Sequence, residues 1–86
     1  MNRRFSETAW QHFMYWVTED RQKANKIDSL LTDIERNGLS TGIGKPEALK
    51  HQYSGLWSRR IDDKNRLVYT IDDKGYIYVV SCKGHY

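Results

Sequence analysis

The sequence predicts an α+β domain: a two-helix hairpin packed against a twisted antiparallel β-sheet. Three observations predict it. Apolar residues recur at helical spacing up to Asn37-Gly38, the pattern then dissolves among Gly42, Gly44, Pro46 and Gly55, and three strand-like runs follow, separated by two Asp-rich turns. With 86 residues the chain supports one core, so a single domain over 1–86 is expected.

Arg3 to Phe5 supplies a short edge strand. Ser6 is suited to cap a helix over 7–18, in which Trp10, Phe13, Met14 and Val17 follow the i, i+3, i+4, i+7 pattern of one apolar face and are read as core. Tyr15 and Trp16 fall off that stripe. Asp20 caps a second helix whose stripe is Ala24, Ile27, Leu31 and Ile34, and Asn37-Gly38 provides a left-handed stop. Residues 39–55 read as a long loop, a length that tends to carry function. Strands are expected over 56–61, 67–71 and 76–82, and the short turns at 62–65 and 72–75 make them an antiparallel meander.

A hydrophobic fraction of 38% argues for a packed interior, while 29% charged residues make the surface strongly polar. Disorder is excluded over most of the length. A net charge of +3 suits a polyanionic or acidic partner without requiring one. Cys82 is the sole cysteine, so no internal disulfide forms, and its apolar strand pattern makes it a buried, inert thiol. The cations near Met1 lead into polar helix residues rather than a signal-peptide core, and every apolar run is too short for a bilayer. A cytoplasmic protein without membrane association is expected. His12, His51 and His85 are dispersed and show no metal-ligand spacing, and the stretch 42–44 lacks a phosphate-loop pattern, so no metal or other cofactor is expected.

The residues that carry chemistry lie in the second half. Alternation places Leu56, Ser58 and Arg60 on one strand face and Trp57, Arg59 and Ile61 on the other. Arg66 opens the next strand across a tight turn, near Arg60, and adjacent cations call for an anion such as phosphate. The plain alternative is a solvated surface in which Arg59, Arg60 and Arg66 pair with Asp62 and Asp63. Glu47 lies three residues before Lys50, so one helical turn would put both on one side, as a site or as an ordinary surface pair. His85 and Tyr86 follow a strand-like run at the end of the sequence, an imidazole and a phenol that the terminus is expected to use; an untethered histidine is the alternative. RNA cleavage requires a base for the 2′-hydroxyl, cations for phosphorane charge and an acid for the leaving 5′-oxygen. Glu47, the Arg and Lys set and His85 fit those three roles. His51 is near enough to contribute; His12 falls on a polar helix flank as a solvated side chain.

The run Gly44-Lys45-Pro46-Glu47, Leu49-Lys50-His51, Ser54-Gly55, Trp57-Ser58-Arg59-Arg60-Ile61, Arg66-Leu67-Val68-Tyr69 and the terminal His85-Tyr86 resembles the Txe/YoeB family of the RelE/ParE toxin superfamily. Phe5-Ser6, Trp10 and Tyr15-Trp16 extend the resemblance over essentially the whole chain. It implies a RelE-like, microbial-RNase-like fold and a type II toxin: an endoribonuclease that cuts mRNA in the A site of the 70S ribosome and halts translation. Carried over by position, Glu47 is the general base, His85 the general acid, Arg66 the group on the scissile phosphate, Lys50 and Arg60 further cations, and Tyr86 an orienting or stacking group. Arg59 and His51 join the substrate-binding set. Gly84 is expected to loosen the His85 arm. A cognate YefM-like antitoxin with an acidic, disordered segment and a homodimer are further implied partners. Two rivals share these features: a ParE-like gyrase inhibitor, against which Glu47 and His85-Tyr86 argue, and a non-catalytic RNA or ribosome binder.

Overall fold

A computed structural model describes residues 2–85. Two helices, α1 (Glu7–Glu19) and α2 (Arg21–Asn37), cover one face of a five-stranded sheet. Its strands are β1 (Arg3–Phe5), β2 (Glu47–Ala48), β3 (Trp57–Arg60), β4 (Arg66–Ile71) and β5 (Ile77–Ser81), in the order β1-β5-β4-β3-β2. The meander β3-β4-β5 is antiparallel as the two tight turns require, with Asp62 and Asp72 accepting turn amides. Two pairings go beyond the expected antiparallel sheet. The edge strand β1 runs parallel to β5, so the sheet is mixed, and β2 forms inside the expected loop, with Glu47 opposite Ser58. A 3₁₀ turn (His51–Tyr53) takes up more of that loop.

One hydroxyl joins the first turn of α1 to the sheet: Ser6 Oγ accepts from the Ala9 amide at 2.9 Å and donates to the Val80 carbonyl at 2.8 Å. This tether rotates α1 away from the expected stripe. Ala9 and Trp16, one residue before Trp10 and Val17 respectively, are buried, and Phe13 and Val17 pack at the core margin. Trp10 is 51% exposed and Met14 41%, so neither is core. Trp16 is buried despite its position off the stripe because its indole N–H finds an acceptor, the Cys82 carbonyl, at 2.8 Å. Trp10 instead stacks at the surface between Phe5 and Phe13. The stripe of α2 is buried as expected, with Leu30 added.

Arg59 faces the core and is completely buried. Its Nε donates to Tyr69 Oη at 2.9 Å, one terminal nitrogen to Asp33 and the Ile43 carbonyl, and the other to the Gly38 and Thr41 carbonyls, both at 2.8 Å. Tyr69 in turn donates to the Leu39 carbonyl at 2.6 Å. Arg59 is thus the anchor of the 38–43 loop, and its full burial with its donors engaged inside the protein corrects the expectation that it faces a binding surface. The bond from Arg59 holds the Asp33 carboxyl below its ordinary range against the effect of burial, aided by the Ile43 amide and Asn37. A Cβ at Gly42 would overlap the Asp33 carboxylate, so this turn admits only glycine. Replacing Arg59 with Leu leaves Asp33 and three loop carbonyls without their donor. We expect a loss of roughly 3 kcal/mol in urea unfolding, with an unchanged midpoint counting against the anchor.

Candidate active site

The sheet face opposite Arg59 carries an open cleft of about 310 Å³ lined by Lys45, Pro46, Glu47, Ser58, Arg60 and Arg66. The alternation that buries Arg59 turns Arg60 to this side, and the register sets Arg60 directly across from Arg66. Glu47 enters through its pairing with Ser58, and the bond from the Arg60 amide to the Gly44 carbonyl, at 2.7 Å, carries that pairing toward the loop. Gly44 and Lys45 are both left-handed, with φ 81° and 54°, a bend that brings Lys45 over the cleft. A Cβ at Gly44 would come within 2.8 Å of Leu30.

Among the described residues neither Arg60 nor Arg66 forms an ion pair with an acid. Arg66 is oriented by backbone instead, donating to the Asp62 carbonyl at 2.7 Å and the Asn65 carbonyl at 3.2 Å. The carboxylate of Asp62 is engaged elsewhere. Burial pushes its pKa up, but bonds from Lys23 at 2.8 Å and from the Lys64 and Asn65 amides outweigh that and hold it well below the carboxylate range. The Asp62 carboxylate is thereby withheld from the arginine side chains, which line the cleft together with Lys45 and Glu47, a set able to take an anion.

The remaining expected residues divide. His85 is exposed and is not part of the cleft lining, but it directly follows Gly84, which is tied to the cleft: Gly84 accepts from the Arg66 amide at 3.1 Å and donates to Asn65 Oδ1 at 2.8 Å. Gly84 adopts φ 81°, the left-handed region that suits glycine, with both of its backbone groups bonded. Lys50 and His51 are exposed beyond the cleft lining. The segment from Glu47 is extended, Lys50 included at φ −122°, ψ 171°, so no helical turn brings Glu47 and Lys50 together. Tyr86 lies outside the described residues. Lys45 and Ser58 were not assigned roles from the sequence; the signal for Ser58 was its place on the Arg60 face, two residues earlier. The described residues hold no cluster of three or more His, Cys, Asp or Glu suited to a metal, and no helix is long and apolar enough to cross a membrane.

A two-helix cap on a small five-stranded sheet is an architecture shared with bacterial toxins. The YoeB/ParE toxin of Agrobacterium tumefaciens superposes with TM-score 0.95 at 32% identity, covering all of both chains. Residues 5–86 match the family described as YoeB-like toxin of bacterial type II toxin-antitoxin system, and the chain belongs to that family. Toxin YoeB of Escherichia coli K12 is 42% identical over 82 residues, covering 95% of each chain. The Staphylococcus aureus YoeB structures, a heterotetrameric complex with YefM and a dimer, both match at TM-score 0.93 and 46% identity over all of this chain and 98% of theirs.

His12 is not the solvated side chain expected from the helix pattern. Its Nδ1 accepts from the Cys82 amide at 3.2 Å, which requires that nitrogen to be unprotonated. Burial, and then the charge of Lys83, lower its pKa from the ordinary 6.5. The buried Cys82 thiol is pushed up to about 12 by burial, so it stays neutral. Because the folded state prefers neutral His12, its contribution is complete above the ordinary imidazole pKa and is lost as pH falls through the lower, folded-state value. The thermal midpoint should therefore drop as pH falls below the ordinary imidazole value of 6.5, and drop less in His12→Asn, whose Oδ1 accepts without titrating. Equal drops in both proteins would assign the acid sensitivity to other groups.

Proposed function

We propose that this toxin is a ribosome-dependent mRNA endonuclease that cuts message in the ribosomal A site by metal-independent attack of the 2′-hydroxyl, and so arrests translation. The observation that carries this reading is a single cleft lined by Glu47, Arg60 and Arg66, with His85 one residue beyond the point where the chain is bonded to Arg66. Glu47 takes the 2′-hydroxyl proton, and the freed oxygen attacks the adjacent phosphorus. Arg66, Arg60 and Lys45 meet the charge that develops on the phosphorane oxygens. His85, as imidazolium, gives one proton to the departing 5′-oxygen. One proton is taken and one given, leaving a 2′,3′-cyclic phosphate and a 5′-hydroxyl. Tyr86 follows His85 as the group that orients or stacks on RNA, and Lys50 and His51, exposed on the approach from the 3₁₀ turn, contact flanking phosphates.

The partners proposed are those of the S. aureus relative, a YefM-like antitoxin and a second copy of the chain, together with the 70S ribosome and mRNA, which place its action in the cytoplasm. The net charge of +3 suits both an acidic antitoxin segment and RNA. Primer extension on a defined message in a purified translation system tests the reading. Cuts at the A-site codon that need ribosomes are expected from wild type, with His85→Ala slower by about 10²- to 10⁴-fold at retained ribosome binding, and Glu47→Ala comparably impaired. Arg66→Ala should lose rate more than affinity, because its charge is matched to the transition state. Arrest without new RNA ends would indicate a binder; double-strand breaks in DNA would indicate a gyrase poison.

A further inference from the structure

Past Ser81 the chain leaves the sheet, and its backbone polar groups lose their ladder partners. At two alternate residues all four groups are nevertheless engaged. The Cys82 amide donates to His12 Nδ1 at 3.2 Å, and the Cys82 carbonyl accepts from Trp16 Nε1 at 2.8 Å. The Gly84 amide donates to Asn65 Oδ1 at 2.8 Å, and the Gly84 carbonyl accepts from the Arg66 amide at 3.1 Å. Three of these partners are side chains, from α1 and from the β3–β4 turn. Asn65 is itself held, since its Nδ2 donates to both Asp62 oxygens at 3.0 and 3.1 Å, and Asp62 is paired with Lys23 of α2.

We propose that His12 and Asn65 are positioning residues for catalysis, clamping Cys82 and Gly84 so that His85 is presented beside Arg66. This inference rests on the nuclease reading. The side chain of His85 is exposed, and an exposed imidazole on a free arm would spread over many positions, whereas general acid transfer needs it within hydrogen-bond reach of one oxygen. Both clamping residues act on backbone one and three positions before His85, without contact to substrate. Neither needs to add ribosome affinity.

The test compares wild type, His12→Leu, His12→Asn and Asn65→Ala, with Asn65→Ser in reserve should Asn65→Ala fail to fold. Two quantities are read: the ¹⁵N heteronuclear NOE at Gly84 and His85 in the free protein, and the single-turnover cleavage rate on saturating programmed ribosomes. Expected are sheet-like NOE values in wild type, lowered values at both residues in His12→Leu and Asn65→Ala, and rates about tenfold lower with ribosome affinity within about twofold. His12→Asn, which restores an acceptor at the Nδ1 position, should recover both order and rate. A slower rate with an unchanged NOE, a lowered NOE with an unchanged rate, or His12→Asn as slow as His12→Leu would each overturn the clamp. A wild type that does not cut would overturn the inference together with the nuclease reading, and is told apart because clamp failure alone leaves the wild type cutting.

Discussion

The buried guanidinium of Arg59 is the constraint on which the remaining architecture depends. A charge removed from water is tolerated only when it is paired and its donors are used, and here the five bonds run to α2, to the adjacent strand and to three loop carbonyls. The same contacts fix the course of a segment that has no regular structure of its own between Gly38 and Pro46. That segment ends at Gly44, whose carbonyl is bonded to the neighbouring Arg60, and the chain then delivers Lys45, Pro46 and Glu47 to the cleft. Two adjacent arginines therefore do opposite work, because a strand turns successive side chains to opposite faces. One is neutralised in the core and builds the loop. The other is paired with no acid among the described residues and faces the open side.

The cleft follows the same division of charge. Acidic groups near the cations are occupied: Asp62 by Lys23 and turn amides, Asp33 by Arg59. Arg66 is aimed by carbonyl oxygens, which orient a guanidinium without cancelling its charge. The result is an arginine-bearing cleft in which, among the described residues, Glu47 is the one carboxylate of the lining. At the far end, the arm carrying His85 is secured from both helices, directly by His12 and Trp16 of α1 and indirectly by Lys23 of α2 through Asp62 and Asn65. The helical layer thus reaches the open face through hydrogen bonds rather than through apolar packing.

Much of this was legible in the residues themselves. The α2 stripe, the two Asp-rich turns, the meander and the Arg60–Arg66 juxtaposition follow from periodicity and short connections, which are local properties. Cys82 is buried as expected, although β5 ends one residue before it. Membership in the YoeB-like toxin family was carried by motifs distributed along the chain.

Other features were decided only by the fold. Which face of α1 packs was set by the Ser6 bond to β5 and by an acceptor for the Trp16 indole, partners more than sixty residues away in sequence. The parallel pairing of β1 with β5 and the short β2 strand depend on elements meeting from opposite parts of the chain. Arg59 looked like its neighbours in composition, and its burial required Asp33 and the loop carbonyls to be brought to it. His12 was polar on a helix wheel and became an acceptor only when the chain's end crossed α1. Sequence by itself determined what each segment is able to become, because backbone propensity and apolar spacing act over a few residues. Tertiary structure decided which polar groups meet, because a hydrogen bond is worth forming in the interior only where its distant partner arrives.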